Sequence, residues 1–218
     1  YRIAVDNRIV YSSSIASEDT TILVGQILNN ANITSLKFFT NAVNTISTGI
    51  DFVANYGFDI NEKSKLNINL GANFNNTEID GEIATPAPIA AANFDIFDRK
   101  EQSRILSARP NNKIVLGLNY RTGGFSATLN NTRFGEVTWQ HGTDPEKDQT
   151  FAAKIITDLN IKYDFNEKIG LGIAANNLFN VYPDEIDTKG DVVTDLGGRF
   201  RYPWEVNQFG FNGTTLSM

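Results

Sequence analysis

Three features on which many proteins rely are missing or scarce in this sequence. Its 218 residues include no cysteine, a single histidine and no long apolar run. Without cysteine there are no disulfide bonds and no thiolate metal sites, and one imidazole, His141, cannot supply a zinc site that needs two. A membrane-spanning helix needs about 18 consecutive apolar residues, so the sequence excludes one. The net charge of -6 argues against a nucleic-acid partner, because phosphate binding needs a basic surface.

The sequence has instead many segments in which apolar and polar residues alternate. In KLNINLGANF, residues 65–74, Leu66, Ile68 and Leu70 share one parity and three asparagines share the other. Successive side chains of a strand point to opposite faces, so the pattern predicts a strand with one apolar and one polar face. The same alternation occurs at 46–60, 113–121, 151–165 and 169–177, and more weakly at 1–10, 125–134 and 206–217. We expect about eight strands, each close to the ~9–11 residues that cross a bilayer.

The lengths of the connections indicate which solvent the apolar face meets. Links at 60–65, 121–125 and 165–169 are short and rich in Asn, Gly and charge, whereas the alternate links at 12–45, 79–111, 138–149 and 178–205 are long. A soluble sandwich has no reason to sort its loops in this way, but an outer-membrane barrel has short periplasmic turns and long extracellular loops. We therefore predict an all-β fold, an antiparallel transmembrane β-barrel with its apolar residues facing lipid: Leu66, Ile68, Leu70, Leu159, Ile161 and Tyr163.

One segment inside a long link has helical rather than strand spacing. In NFDIFDRKEQSRIL, residues 93–106, Phe94, Phe97 and Ile105 recur at helical intervals around a charged section. We predict a short helix there, on the side of the long loops.

Several of these segments resemble TonB-dependent receptors of Gram-negative outer membranes. The likeness runs through the strand and loop at 38–60 and the segments at 65–79, 96–105 and 111–137, and its most specific piece is NNLFNVYPDE, residues 176–185. The resemblance implies a barrel of about 22 strands with a plug domain inside it. It also implies a TonB box ahead of the plug and energised uptake of a scarce nutrient such as a ferric siderophore, haem, cobalamin, a metal or an oligosaccharide.

By the same likeness, residues 1–218 are the C-terminal portion of the barrel, with about eight of its strands. The expected partners are outer-membrane lipid, the TonB complex, the receptor's own plug and a small-molecule nutrient. The chain departs from the family in having no plug or TonB box and no terminal aromatic residue after FNGTTLSM. Two alternatives remain open, a passive porin and a small stand-alone barrel with a structural or adhesive role. The interior of a small barrel is filled by side chains, whereas the polar parity here is mostly Gly, Asn and Asp.

Five residues of the long links and strand ends are candidate substrate contacts. Arg99, Arg104 and Arg133 could pair with an anionic chelate, because guanidinium groups bind carboxylates through two hydrogen bonds. Trp139 and His141 share one loop and could contact a ligand from outside. The acidic run 141–149 matches no calcium-loop spacing, so we interpret it as an ordinary solvated loop. The sequence contains no paired-carboxylate motif, and we predict no enzyme activity, no cofactor and no bound metal.

Overall fold

The computed structural model describes residues 1–18, 23–91, 94–187 and 200–218. The chain divides into two compact units. Unit 1 comprises Tyr1–Thr48, Asn76–Ala108 and Trp139–Asp148, and unit 2 comprises Gly49–Asn75, Arg109–Thr138 and Gln149–Met218.

Strands dominate the described residues, and short helices lie only in the long links. The strands are β1 Arg2–Tyr11, β2 Ile15–Ala16, β3 Ser35–Leu36, β4 Phe39–Asn61, β5 Ser64–Asp80, β6 Asn112–Thr122, β7 Phe125–Phe134, β8 Val137–Trp139, β9 Gln149–Phe151, β10 Lys154–Asn166, β11 Ile169–Asn176 and β12 Thr215–Ser217. The helices are α1 Leu23–Asn30, α2 Ala87–Ala90 and α3 Arg99–Leu106, with a 3₁₀ turn at Pro145–Lys147. One sheet has the order β1-β4-β5-β6-β7-β10-β11-β12, and two small sheets pair β2 with β3 and β8 with β9. This confirms the prediction of an antiparallel sheet of eight strands.

The register in unit 2 aligns the apolar positions of neighbouring strands on one face. Leu118 of β6 lies opposite Ile68 of β5 and Leu129 of β7, and Leu129 lies opposite Leu159 of β10. Many side chains of this apolar face are exposed, among them Ile161 at 40% and Phe165 at 62%. Apolar area of this extent needs an apolar solvent or partner to cover it.

The opposite face of the unit 2 sheet is polar and rich in amides. Asn119 lies between Asn67 and Thr128 in the register, and its side chain donates to Thr128 Oγ1 over 3.0 Å. Gly117 leaves room for the side chains of Asn69 and Asn130, whose amide atoms lie within 3.6 Å of the place a Cβ would occupy. The two faces therefore differ in the way that the alternation predicted.

The three predicted tight turns are confirmed, and polar side chains hold them. Asn61 Oδ1 accepts a hydrogen bond from the N–H of Lys63, and Asn166 Oδ1 accepts from the N–H groups of Lys168 and Ile169. Gly123 has a φ of 54°, a conformation that glycine adopts without steric cost. Aromatic pairs lie in the strands beside these turns, in the order Tyr56–Phe58, Tyr120–Phe125 and Tyr163–Phe165.

Unit 1 has a hydrophobic core of its own, built largely from the long links. Its buried members are Val10, Ile15, Leu28, Ala42, Val43, Ile89, Ile96 and Phe97. They come from β1, β2, β4, α1, α2 and the residues before α3. The long links are therefore folded structures with buried apolar contacts.

Two predicted boundaries are wrong at the chain's beginning and end. The link predicted at 12–45 ends early, because β4 begins at Phe39 and pairs with β1 through Phe39 and Tyr11. The strand predicted at 206–217 is reduced to Thr215–Ser217. Val206 is buried, and Gln208 donates to backbone carbonyls of other segments, so this stretch folds by side-chain contacts that alternation does not encode.

Two further boundaries are corrected within the chain. The strand predicted at 151–165 is divided, because β9 ends at Phe151 and β10 begins at Lys154. The helix predicted at 93–106 is the shorter α3, since Asp98 accepts a hydrogen bond from the N–H of Glu101 and so caps its first turn. Residue 93 and residues 188–199 of the predicted link 178–205 lie outside the described residues.

Candidate functional site

Arg99 connects the start of α3 to the loop at residues 140–148, within unit 1. Its guanidinium donates to both oxygens of Asp148, over 2.7 Å to Oδ2 and 3.2 Å to Oδ1, and to the carbonyl of His141 over 3.0 Å. The hydrogen bond to Asp148 raises the pKa of Arg99. The sequence predicted that Arg99 would bind a carboxylate of the cargo in this bidentate geometry. In the structure, Asp148 of the same chain is the carboxylate that Arg99 binds.

His141 organises the turn that follows it. Its ring nitrogen Nδ1 accepts hydrogen bonds from the N–H groups of Thr143, over 3.3 Å, and Asp144, over 3.0 Å. The backbone N–H of His141 donates to Asp148 Oδ1. An acceptor nitrogen carries no proton, so this geometry assigns the ring proton to Nε2. The neighbouring Trp139 ring, at 6.0 Å, is fully buried.

Arg104 takes part in a second ion-pair cluster of unit 1. The carboxylate of Glu101 is only 2% exposed, and it accepts hydrogen bonds from Lys37 Nζ through Oε1 and from Arg104 Nη1 through Oε2, over 2.5 and 2.8 Å. A buried carboxylate needs such compensation, because its desolvation costs several kcal/mol. Sequence analysis missed Glu101 and Lys37, which are 64 residues apart and give no local signal.

Arg133 lies in unit 2, on β7. In the register it lies opposite Ile114 of β6 and Ile155 of β10, at the parity of the apolar face. Its Nη1 donates to the side-chain oxygen of Asn112. The structure therefore brings Arg99, Arg104, Trp139 and His141 into unit 1 and places Arg133 in unit 2.

The most specific motif of the sequence, NNLFNVYPDE, folds as a turn after β11. Asn177 and Asn180 have positive φ values of 50° and 55°. The Asn177 side chain holds Val181 through two hydrogen bonds, with Nδ2 donating to the carbonyl over 2.8 Å and Oδ1 accepting from the N–H over 2.9 Å. Asparagine tolerates this left-handed conformation better than other non-glycine residues. The motif thus fixes the path by which the chain leaves the sheet.

The acidic end of that motif is tied down by two ion pairs of unit 2. Burial raises the pKa of Asp184, but hydrogen bonds from Lys154 Nζ and from the N–H of Ala152 bring it below its ordinary value. The hydrogen bond from Arg201 lowers the pKa of Glu185. Both carboxylates are therefore ionised and engaged at neutral pH.

Three aromatic rings lie above one another in the same region. Tyr202 stacks on Tyr182 at 5.5 Å and on Phe211 at 5.7 Å, with interplanar angles of 4° and 15°. Arg201 lies over the Tyr202 ring. Sequence analysis missed this stack, since its members belong to segments that no periodicity connects.

Residues 1–18, 23–91, 94–187 and 200–218 contain no group of three or more His, Asp or Glu side chains that could hold a metal ion. In the acidic loop, Asp144 caps the 3₁₀ turn and Asp148 pairs with Arg99. No helix within these ranges is long and apolar enough to cross a membrane.

Comparison with known proteins adds one finding. A family model described as "TonB dependent receptor-like, beta-barrel" matches residues 1–178 of the chain. No curated protein matches it.

Proposed function

The chain belongs to the family of TonB-dependent receptor-like β-barrels, whose members are transporters and not enzymes. We propose that it forms part of the wall of a barrel through which a scarce nutrient is imported. The family match and the antiparallel sheet identify a transmembrane β-barrel. The family is one of outer-membrane transport. Energised uptake in a Gram-negative outer membrane, driven through TonB, is the finer proposal.

The two-faced sheet of unit 2 is the observation that carries this proposal. Its apolar face suits lipid, and its polar face, lined by residues such as Asn67, Asn119 and Asn160, suits a hydrated interior. A wide barrel with such an interior either leaks as a pore or is closed by a plug. The family favours the plug, and moving cargo past a plug needs energy from the inner membrane.

We extend the proposal to the organisation of the whole receptor. Residues 1–218 would be the C-terminal portion of a barrel of about 22 strands, with a plug domain and a TonB box in the preceding sequence. The cargo classes compatible with the family are ferric siderophores, haem, cobalamin and oligosaccharides.

The five candidate substrate contacts remain proposals, and they differ in the contacts and the exposure that their side chains have in the structure. Arg99 and Arg104 already bind Asp148 and Glu101, so cargo would meet them as parts of ion pairs. The buried Trp139 would act by supporting its loop, while His141 and Arg133 keep partly exposed side chains.

The test is uptake by cells that produce the full-length receptor. Labelled ferric siderophores, haem, cobalamin and neutral oligosaccharides are offered to these cells, to the same cells with a protonophore, and to a strain lacking TonB. The proposal expects uptake of one class that is lost in both controls. The porin alternative expects uptake that ignores the proton-motive force and steady conductance of the purified protein in a planar bilayer, and this result would contradict energised transport.

A further inference from the structure

A cavity of about 250 Å³ lies in unit 2 between the polar face of the sheet and the segment that precedes β12. Strands β7, β10 and β11 provide one side of it, and residues 209–213 provide the other. Gln208 fixes that segment by donating from Nε2 to the carbonyls of Gly135 and Ala152. The hydrogen bonds of the buried Gln208 side chain therefore fix the position of the segment that forms this side of the cavity.

The size of the cavity limits what it can hold. An engineered cavity of about 150 Å³ accommodates one benzene ring, and pockets for whole drug-sized ligands start near 300 Å³. A volume of about 250 Å³ therefore fits one substituted six-membered ring and is too small for a complete metal chelate or a porphyrin.

The lining combines an aromatic wall with neutral hydrogen-bonding groups. The rings of Phe134 and Phe209 lie 5.5 Å apart at one side. The polar members of the lining are Thr132, Asp158, Asn176, Asn177, Asn212 and Thr215. Asp158 is the one ionisable group among the described residues of the lining, and Lys113, which lies 5.1 Å from the Phe134 ring centre, is not part of it. A lining with a carboxylate and no cation disfavours an anionic ligand.

Several of these polar groups keep unused hydrogen-bonding capacity. Asp158 accepts the N–H of Asn177 at Oδ1 over 2.8 Å, which fixes the carboxylate and leaves Oδ2 as an acceptor. Within the described part of the chain, the side chains of Thr132 and Asn212 make no hydrogen bond. The Asn177 amide, by contrast, already uses both its Nδ2 and its Oδ1 to bind Val181. A ligand here would meet a fixed anionic acceptor, a hydroxyl and an amide.

We propose that this cavity binds one sugar residue of a neutral oligosaccharide, an inference that rests on the proposed uptake function and names its cargo class. A pyranose ring has C–H groups on its faces and hydroxyls on its rim. The electron-rich faces of Phe134 and Phe209 attract C–H groups, and Asp158 accepts a hydroxyl proton in a charge-assisted hydrogen bond. Thr132 and Asn212 complete the contacts to the rim.

The experiment uses the full-length receptor purified in detergent. It is incubated with neutral oligosaccharides of three to eight units from partial hydrolysis of starch, xylan, mannan and laminarin, together with ferric enterobactin and ferric citrate as anionic competitors. Bound material is recovered and identified by mass spectrometry, and the affinity for the recovered saccharide is then measured by calorimetry. We expect a neutral saccharide to be retained.

Two variants test whether the sugar binds in the cavity, and a third variant is the control. Asp158→Asn keeps an oxygen for the Asn177 N–H but loses the charge, and should weaken binding about tenfold. Phe209→Leu keeps apolar bulk without the ring and should weaken it about fivefold. The matched control is Asp51→Asn, since the Asp51 carboxylate also accepts a hydrogen bond within unit 2, from the Asn73 side chain, but does not line the cavity. It should bind as the wild type does.

Two results would overturn the inference, and they differ from failure of the uptake function. Retention of ferric chelates alone, or of nothing, contradicts the sugar assignment even where uptake depends on TonB. Saccharide binding that is equal in Asp158→Asn, Phe209→Leu and wild type places the sugar elsewhere. Heat-modifiable migration on gels checks that each variant is folded. Uptake that persists without TonB contradicts the proposed function separately.

Discussion

In unit 2, leucines of the neighbouring strands β6, β7 and β10 lie opposite one another in the register. In unit 1, the contacts that hold the long links join side chains of different chemistry from distant parts of the sequence, such as Lys37 and Glu101. The first kind of contact repeats every second residue and tolerates exchange of one apolar residue for another. The second kind depends on individual pairs. A lipid-facing wall is thus specified by a pattern, and the links by particular residues.

The largest effect should come from the buried carboxylate of unit 1. Replacing Glu101 with Ala leaves Lys37 and Arg104 without their common acceptor, and removal of one member of a buried ion pair costs about 3–5 kcal/mol. We expect amide exchange across α3 to accelerate by a hundredfold or more. Glu146→Ala removes an exposed carboxylate of the same unit and should leave the exchange unchanged. Equal rates in both variants would show that the ion-pair cluster does not stabilise the links.

The next effect tests the pattern in unit 2. Leu118→Arg places a charge on the apolar face between Ile68 and Leu129, and a charged residue near the middle of the bilayer costs about 2–4 kcal/mol. The amount of folded receptor in the outer membrane should fall several-fold, as measured by heat-modifiable migration. Asn119→Arg places the same charge on the polar face one residue away and should be tolerated. Tolerance of both changes would show that lipid does not cover the apolar face.

The contrast between the units also explains what sequence could predict. Alternation at 65–74 and 113–121 predicted the strands and their two faces, because a half-apolar strand has a period of two. The short links rich in Asn, Gly and charge predicted the tight turns. Alternation failed at 206–214, where Val206 is buried and Gln208 donates to the carbonyls of Gly135 and Ala152, which lie far away in sequence. In the candidate site, the residue types were found but their partners were not. Nothing near Arg99 in the sequence indicates that its guanidinium donates to both carboxylate oxygens of Asp148, 49 residues away.

A smaller effect should follow from Arg99→Lys in unit 1. Lysine keeps the charge but cannot donate to both oxygens of Asp148 and to the carbonyl of His141 together. Both partners are partly exposed, so solvent screens the pair. We expect cleavage in the loop 140–148 by added protease to rise about two- to threefold. The control Lys147→Arg exchanges one cation of the same loop for another and leaves the Arg99 contacts in place. A similar rise in cleavage of this control would show that loss of the Arg99 contacts is not the cause.

The smallest effect concerns acid and the motif NNLFNVYPDE of unit 2. The pKa values of Asp184 and Glu185 lie below their ordinary values of 3.8 and 4.5. A carboxylate with a lowered pKa contributes stability that is present above its unfolded value and is lost as the pH falls through its folded value. The contact of Asp184 with Lys154 should therefore persist at pH 5 and weaken below pH 3.8, and the contact of Glu185 with Arg201 should weaken below pH 4.5. Amide exchange at residues 181–187, measured between pH 5 and pH 2.5 and corrected for intrinsic rates, should show this loss.

The double variant Asp184→Asn, Glu185→Gln cannot titrate at these positions, so its corrected exchange should not change over the same interval. An identical acid response in the double variant would assign the loss to other carboxylates of the chain.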